Sequence, residues 1–151
     1  MPIFGHVGTA RAGDLFASRL DLSLRGQHRP RRAGVCGTAA AGAESLILAD
    51  QYEDDDIHAD YFWYAGHGAR DPKTGHQTTN QTLDARNRSL LRSAETGHPI
   101  RVFRRMAPAG PAQFRYEGLW YIVAWEYVRG KSGYLVYRFR LEPWSDVART
   151  L

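Results

Sequence analysis

Leu119-Trp120-Tyr121-Ile122-Val123-Ala124-Trp125-Glu126-Tyr127-Val128-Arg129-Gly130-Lys131-Ser132-Gly133-Tyr134-Leu135-Val136-Tyr137-Arg138-Phe139-Arg140-Leu141-Glu142 is the stretch on which the fold turns. Two runs rich in aromatic and β-branched residues, Leu119 to Tyr127 and Gly133 to Glu142, flank the turn Arg129-Gly130-Lys131-Ser132 and predict a β-hairpin. Working back along the chain, Ile100 to Arg104, Tyr61 to Ala65 and Ser45 to Ala49 read as three more strands, the last two separated by an acidic loop. Between them lies a helix from about Gln81 to Thr96. Leu83, Asn87, Leu90, Leu91 and Ala94 share one face of it, and Gly97 is placed to end it. Asn87 on that apolar stripe reads as a satisfied buried amide tying the helix to a nearby loop.

Residues 15 to 25 offer two periods, Phe16, Leu20 and Leu24 for a helix or Leu20, Leu22 and Leu24 for a strand; Gly26 as a stop decides for a short helix. Residues 26 to 43, with Gly26, Pro30, Gly34, Gly37 and Gly42, predict a long loop or irregular edge. Residues 66 to 79 have three glycines and no period, which predicts a mobile surface loop. Five strands with no repeating strand-helix crossover indicate an α+β domain. The expected architecture is a curled, mainly antiparallel β-sheet or barrel, with one clear and one short flanking helix.

A chain of 151 residues buries one substantial core, so residues 1 to 151 are expected to form a single domain, without repeat or linker. Its 43% hydrophobic and 24% charged residues are the balance of a folded protein. No apolar run approaches the roughly 18 residues that span a membrane. The start, Met1-Pro2-Ile3-Phe4-Gly5-His6, lacks a basic region followed by an apolar stretch, so a cytoplasmic location and no membrane partner are expected. With Cys36 the only cysteine, neither a disulfide framework nor a cysteine-rich zinc site can form within the chain.

The net charge of +4 is carried almost wholly by arginine, Lys73 and Lys131 being the only lysines. Arg25, Arg29, Arg31 and Arg32 form one cluster; Arg86, Arg88, Arg92, Arg101, Arg104 and Arg105 form another. Guanidinium forks suit phosphate, and a solvated charged face accounts for them equally well. Against them stands an acidic block of Glu53, Asp54, Asp55, Asp56 and Asp60.

Three chemistries compete for that block and the tyrosines around it. Clustered carboxylates suit a divalent cation, although adjacent acids on an extended segment point different ways and the spacing is not that of an EF-hand. Carboxylates with His58 suit a hydrolytic site, a metal-dependent nuclease using residues 53 to 60, although no Ser or Cys nucleophile motif accompanies them. Tyrosine rings with one acid suit a planar base, the acid accepting from an exocyclic amine as cytosine offers and thymine does not. Extruding a base costs a few kcal/mol and stacking returns roughly 1 to 3 kcal/mol per ring, so two rings offset extrusion. The residues alone leave all three open.

Phe4-Gly5-His6, His28-Arg29-Pro30 with Ala33-Gly34-Val35, Gly42-Ala43-Glu44-Ser45, Tyr52-Glu53-Asp54-Asp55, Tyr64-Ala65-Gly66-His67-Gly68, Asn80-Gln81, Asn87-Arg88, Pro99-Ile100-Arg101-Val102, Tyr116-Glu117-Gly118-Leu119 and Gly130-Lys131-Ser132-Gly133-Tyr134 stand in a distinctive order. In that order the chain resembles the SET- and RING-associated domain, also called the SRA or YDG domain, over about residues 4 to 142. The resemblance implies a PUA-like curled sheet that flips 5-methylcytosine or a related modified cytosine out of duplex DNA. It implies a base pocket in which Tyr52 and Tyr64 stack on the base and Asp55 recognises its Watson-Crick edge. Backbone groups near Ala49 and Gln51 assist, and Ala65 and His67 complete the wall. By the same resemblance the loop at Gln27 and His28 and the loop from Arg70 to Thr79 enter the duplex from opposite grooves. Arg29, Arg31, Arg32 and Arg70 are then candidates for backbone contact, and Lys73, His76 and Gln77 for the wedge.

Two departures stand out. Glu117 replaces the usual Asp of the signature, which bears on packing more than on reading. His67 replaces a small residue beside the methyl pocket, where it either alters the modification accepted or points into solvent. The expected partner is double-stranded DNA with modified cytosine, with no cofactor, no metal and no catalytic residue. Bacterial relatives couple this domain to a nuclease domain or subunit, and no nuclease motif is present here. Arginine over lysine is in keeping with a high-GC bacterial source, which would make the protein nucleoid-associated. A PUA-like module for RNA or a small ligand is the remaining alternative.

Overall fold

The computed structural model describes residues 1–49, 53–106 and 113–144. In chain order the elements are β1 (Leu15–Phe16), α1 (Arg19–Leu24), β2 (Val35–Thr38), β3 (Gly42–Leu48), β4 (Asp56–Ile57) and β5 (Phe62–Ala65). They continue with α2 (Ala85–Thr96), β6 (Ile100–Met106), β7 (Gln113–Arg129) and β8 (Leu135–Pro143). The strands form one sheet in the order β2-β3-β6-β7-β8-β5-β4, with β1 paired to β7 off that path. Every pairing is antiparallel except β3 with β6. The sheet is open, so the barrel alternative is corrected: its path ends on β2 at one edge and on the two-residue β4 at the other.

The hairpin is built as its sequence reads, with β7 and β8 paired from Trp120 opposite Pro143 to Arg129 opposite Leu135. β7 begins earlier than expected because Phe114 and Tyr116 alternate inward ahead of Gly118, whose turn-like neighbourhood hid the strand. Glu117 faces the other way and pairs with Arg115 at 2.8 Å. β2 occupies part of the stretch expected to be irregular; Val35 and Cys36 are buried there, and the register with β3 shifts at Gly37.

α2 starts at Ala85 rather than Gln81 because Asp84 caps it, its side chain accepting from the Asn87 N–H. Gly97 closes it in the left-handed conformation, φ 70°. Leu90 faces the core with Leu91 and Ala94 beside it, whereas Leu83 precedes the helix and is exposed. In α1 the Phe16, Leu20, Leu24 stripe is not the buried face: Leu22 is buried and Leu20 and Leu24 are exposed.

The sheet carries a core on each face. Leu46, Leu48, Phe62, Tyr64, Ile100, Val102, Ile122, Phe139 and Leu141 join Leu90 on one side; Phe16, Leu22, Ile47, Phe103, Phe114 and Tyr116 pack on the other. Phe103 stacks on Tyr116 with ring centroids 4.9 Å apart. β3 is therefore buried along its whole length, as a strand covered on both faces must be. Arg101, 1% exposed, crosses this packing to fix the N-terminal segment. Its Nη1 donates to the carbonyls of Ile3 (2.7 Å) and Gly5 (2.9 Å), and its Nε donates to that of Gln27 (3.0 Å).

Candidate functional site

The acidic block does not converge. Ser132 Oγ donates to Glu53 Oε1, and the buried Asp54 accepts the Lys131 N–H at 3.0 Å, so both acids latch onto the β7–β8 turn. Only glycine fits opposite them, since a Cβ on Gly130 would come within 2.7 Å of Asp54 Oδ2. Asp56 lies on β4 with its Oδ1 3.0 Å from His58 Nε2, and His58 stacks on Tyr61. Among the described residues no three His, Cys, Asp or Glu side chains share a point that would hold a cation. Glu53 and Asp54 are thus committed to the turn while Asp56 pairs with His58, an arrangement that does not favour a shared cation site.

Asp55 is the acid that turns to the strand end. Its Oδ1 accepts the Ala65 N–H at 2.8 Å, which continues the register of Asp56 opposite Trp63. Tyr64, next to Ala65, is 4% exposed, its ring covered by the core. Gly34 leaves room for that ring, a Cβ there falling 3.1 Å from the Tyr64 hydroxyl. A narrow recess runs between Gly34, Tyr64, Ala65, His67 and Arg86. On its other side Asp55 lines an open cleft of about 560 Å³ against Arg129, Lys131 and Arg138. Ala49 sits half-buried at the end of β3. Gln51 and Tyr52, the expected second ring, lie outside the described residues.

Residues 26–34 are braced from within. Arg19 Nη2 donates to the carbonyls of Pro30 and Ala33, both at 2.7 Å, and Nη1 to that of Arg32 at 3.4 Å. Ser23 Oγ donates to the Arg29 carbonyl. His28 is fully buried between Ser45 Oγ (2.7 Å) and the Ala33 carbonyl (2.8 Å). A carbonyl only accepts, so Nε2 carries the proton and Nδ1 accepts from Ser45. Burial holds the His28 imidazole down at about 4, the Ala33 bond opposing and nearby arginines adding to the shift.

The expectation that Gln27 and His28 reach into a groove is corrected: both side chains turn inward, Gln27 Nε2 donating to the Val7 carbonyl at 3.1 Å. Arg29 pairs with the buried Glu44 and leans on Cys36. Arg31 and Arg32 project into solvent. In the second loop, Asp71 Oδ1 accepts from the N–H groups of Lys73 and Thr74 and turns the chain tightly, with Arg70 bridging back to Gln77. Lys73 and His76 are exposed and Arg70 is half-buried. Gln77 is corrected as a wedge candidate: it is buried, with Nε2 donating to the carbonyls of Thr79 and Leu135, both at 2.7 Å.

Residues that sequence reasoning passed over hold the recess in shape. Gln81 is buried, its Nε2 donating to the Gly66 carbonyl and its Oε1 accepting from the Tyr137 N–H. Asn87 does what its place on an apolar stripe implied, binding the His67 backbone through both its oxygen and its nitrogen. Arg19 and Asp84 carried no signal, because a lone arginine and a lone aspartate beside a helix are common. No helix of the described residues is long and apolar enough to cross a membrane.

Fold and site together define an open-sheet α+β domain with a narrow recess lined by Gly34, Tyr64, Ala65 and His67. The model of the SAD/SRA domain matches residues 3–146, and the chain belongs to that family. It is 33% identical over 173 residues to the rat E3 ubiquitin-protein ligase UHRF1, covering 94% of this chain and 22% of that protein. Among solved structures, a modification-dependent TagI restriction endonuclease is 33% identical with a TM-score of 0.86, over 97% of this chain and 54% of that one. The SUVH5 SRA in complex with fully methylated CG DNA is 28% identical with a TM-score of 0.80, over 94% of both chains. The chain thus spans about a fifth of the curated relative and about half of the endonuclease. A eukaryotic relative lends nothing to the expected bacterial source.

Proposed function

We propose that this chain is a non-catalytic reader of double-stranded DNA that takes a modified cytosine, 5-methylcytosine or a related form, out of the duplex. Tyr64 and Tyr52 stack on the base and Asp55 accepts its amino group, with backbone at Ala49, Gln51 and Ala65 assisting. The observation that carries the reading is the bond from the Ala65 N–H to Asp55 Oδ1, which ties a carboxylate to the residue that follows Tyr64 and lines a recess with it. A carboxylate there favours a donor edge. Arg31, Arg32, Lys73, His76 and Arg70 lie on the two loops beside the recess and supply phosphate and groove contacts; Arg29 contributes with what its pairing to Glu44 leaves exposed. The likeness to a modification-dependent endonuclease supports a role as the sensing part of a restriction system, with cleavage supplied by another domain or subunit.

The test is binding of matched duplexes that differ in one cytosine, with 2-aminopurine beside the target. Tighter binding and enhanced fluorescence on the modified duplex are expected. Equal binding of modified and unmodified duplexes would overturn the reading.

A further inference from the structure

The rim of the recess bears one polar side chain whose anchoring exceeds what a surface residue needs. His67 lies two residues beyond β5, lines the recess with Tyr64 and Ala65, and is 44% exposed at its side chain. Its N–H donates to Asn87 Oδ1 at 2.8 Å and its carbonyl accepts from Asn87 Nδ2 at 2.9 Å. The ring is held as well, with Nδ1 2.6 Å from Asp84 Oδ2. Asp84 is itself fixed, because its Oδ1 accepts the Asn87 N–H at 2.8 Å. A carboxylate only accepts, so the neutral imidazole carries its proton on Nδ1 and presents Nε2 as an acceptor. Exposed ion pairs return little stability for the side-chain freedom they cost, whereas a fixed ring at a recess is preorganised for a ligand.

The chemistry of the ligand follows from its neighbour. Asp55 is bound to Ala65, and in cytosine C5 adjoins the carbon that bears the amino group. Ala65 and His67 line one recess, so the substituent next to an amino group held at Asp55 is the part of the base that can be read from that wall. We propose that His67, oriented by Asp84, is the specificity-determining residue for that substituent. Its Nε2 accepts from a substituent with a donor, as hydroxymethyl has, and disfavours one with acceptors alone, as formyl has. This inference rests on the base-reading function above.

The experiment is fluorescence anisotropy at about pH 8 with duplexes identical except for one cytosine. That cytosine is unsubstituted, 5-methyl, 5-hydroxymethyl or 5-formyl. The wild-type chain is expected to bind the hydroxymethyl duplex roughly three- to tenfold more tightly than the methyl one, the worth of one hydrogen bond. His67→Ala should bring the two within about twofold. Asp84→Asn keeps an oxygen to cap α2 but turns an NH2 towards His67, moving the ring proton to Nε2. The formyl duplex should then gain on the hydroxymethyl one.

A merely structural Asp84 would weaken all duplexes alike, and an unchanged formyl-to-hydroxymethyl affinity ratio in Asp84→Asn overturns the proposal even if His67→Ala is unstable. Equal hydroxymethyl-to-methyl ratios in the wild type and His67→Ala overturn it too, while leaving the reader function standing. Loss of all preference for modified over unmodified duplex in the wild type overturns the reader function itself.

Discussion

Asp55 Oδ1 accepts the backbone N–H of Ala65 at 2.8 Å, and this bond ties the end of the acidic segment to the end of β5. One carboxylate oxygen is committed to the backbone, which orients the other. Asp55→Asn keeps an acceptor for Ala65 and turns an NH2 towards the base, so that two donors oppose each other. Affinity for the modified duplex should fall by roughly ten- to a hundredfold, the cost of an unsatisfied buried donor. Salt-sensitive binding to any duplex should persist. Titrations at one salt concentration decide it, and retained preference for modified duplex in the variant would show that Asp55 does not read the base.

The side chains of Arg31 and Arg32 are exposed on a loop whose carbonyls at Pro30, Arg32 and Ala33 are held by Arg19. Replacing either with Ala should weaken modified and unmodified duplexes by the same factor. The slope of log affinity against log salt should become shallower by about 0.9 for each phosphate that is no longer neutralised. A variant that altered only the modified duplex would place these side chains at the base instead.

His28 makes stability depend on pH. Its imidazole ionises at about 4 in the fold against 6.5 for the free side chain, chiefly through burial. Between those values the unfolded chain binds the extra proton, so the contribution is complete above 6.5 and is lost as pH falls towards 4. The full swing is on the order of 3 kcal/mol. Urea midpoints taken across that range should fall in the wild type and fall less steeply in His28→Gln; parallel profiles would rule His28 out as the cause.

Arg101 is too deeply buried to touch DNA, yet it holds three carbonyls from two segments. Arg101→Met should fill much of the volume while leaving those acceptors without donors, at a cost of about 3 kcal/mol. Chemical denaturation measures it, and a loss below about 1 kcal/mol would mean that the carbonyls find other donors.

The sequence showed the fold wherever a residue's place depends on its own neighbours. Alternating aromatics between turn residues predicted the β7–β8 hairpin, and Gly97 marked the end of α2. Local pattern failed where a distant partner decides. Leu22 rather than Leu20 is buried because α1 packs on Phe16 and the second core, and β2 forms in a glycine-rich stretch because β3 lies beside it. At the site, Asp55, Tyr64 and Ala65 were legible as neighbours across one loop. Gln27, His28 and Gln77 were misread because a polar side chain in a loop looks like a surface contact until its buried carbonyl partner is seen. Arg19 and Asp84 act through atoms many residues away, which no spacing rule captures.

The braced loop of residues 26–34 also bears on how fast the chain meets its target. With the carbonyls of Gln27, Pro30, Arg32 and Ala33 already held by Arg101, Arg19 and His28, little backbone rearrangement is left for the encounter to wait on. Association should therefore be governed by electrostatic steering and orientation, with a rate constant that falls steeply as salt rises. Discrimination between duplexes should reside in dissociation.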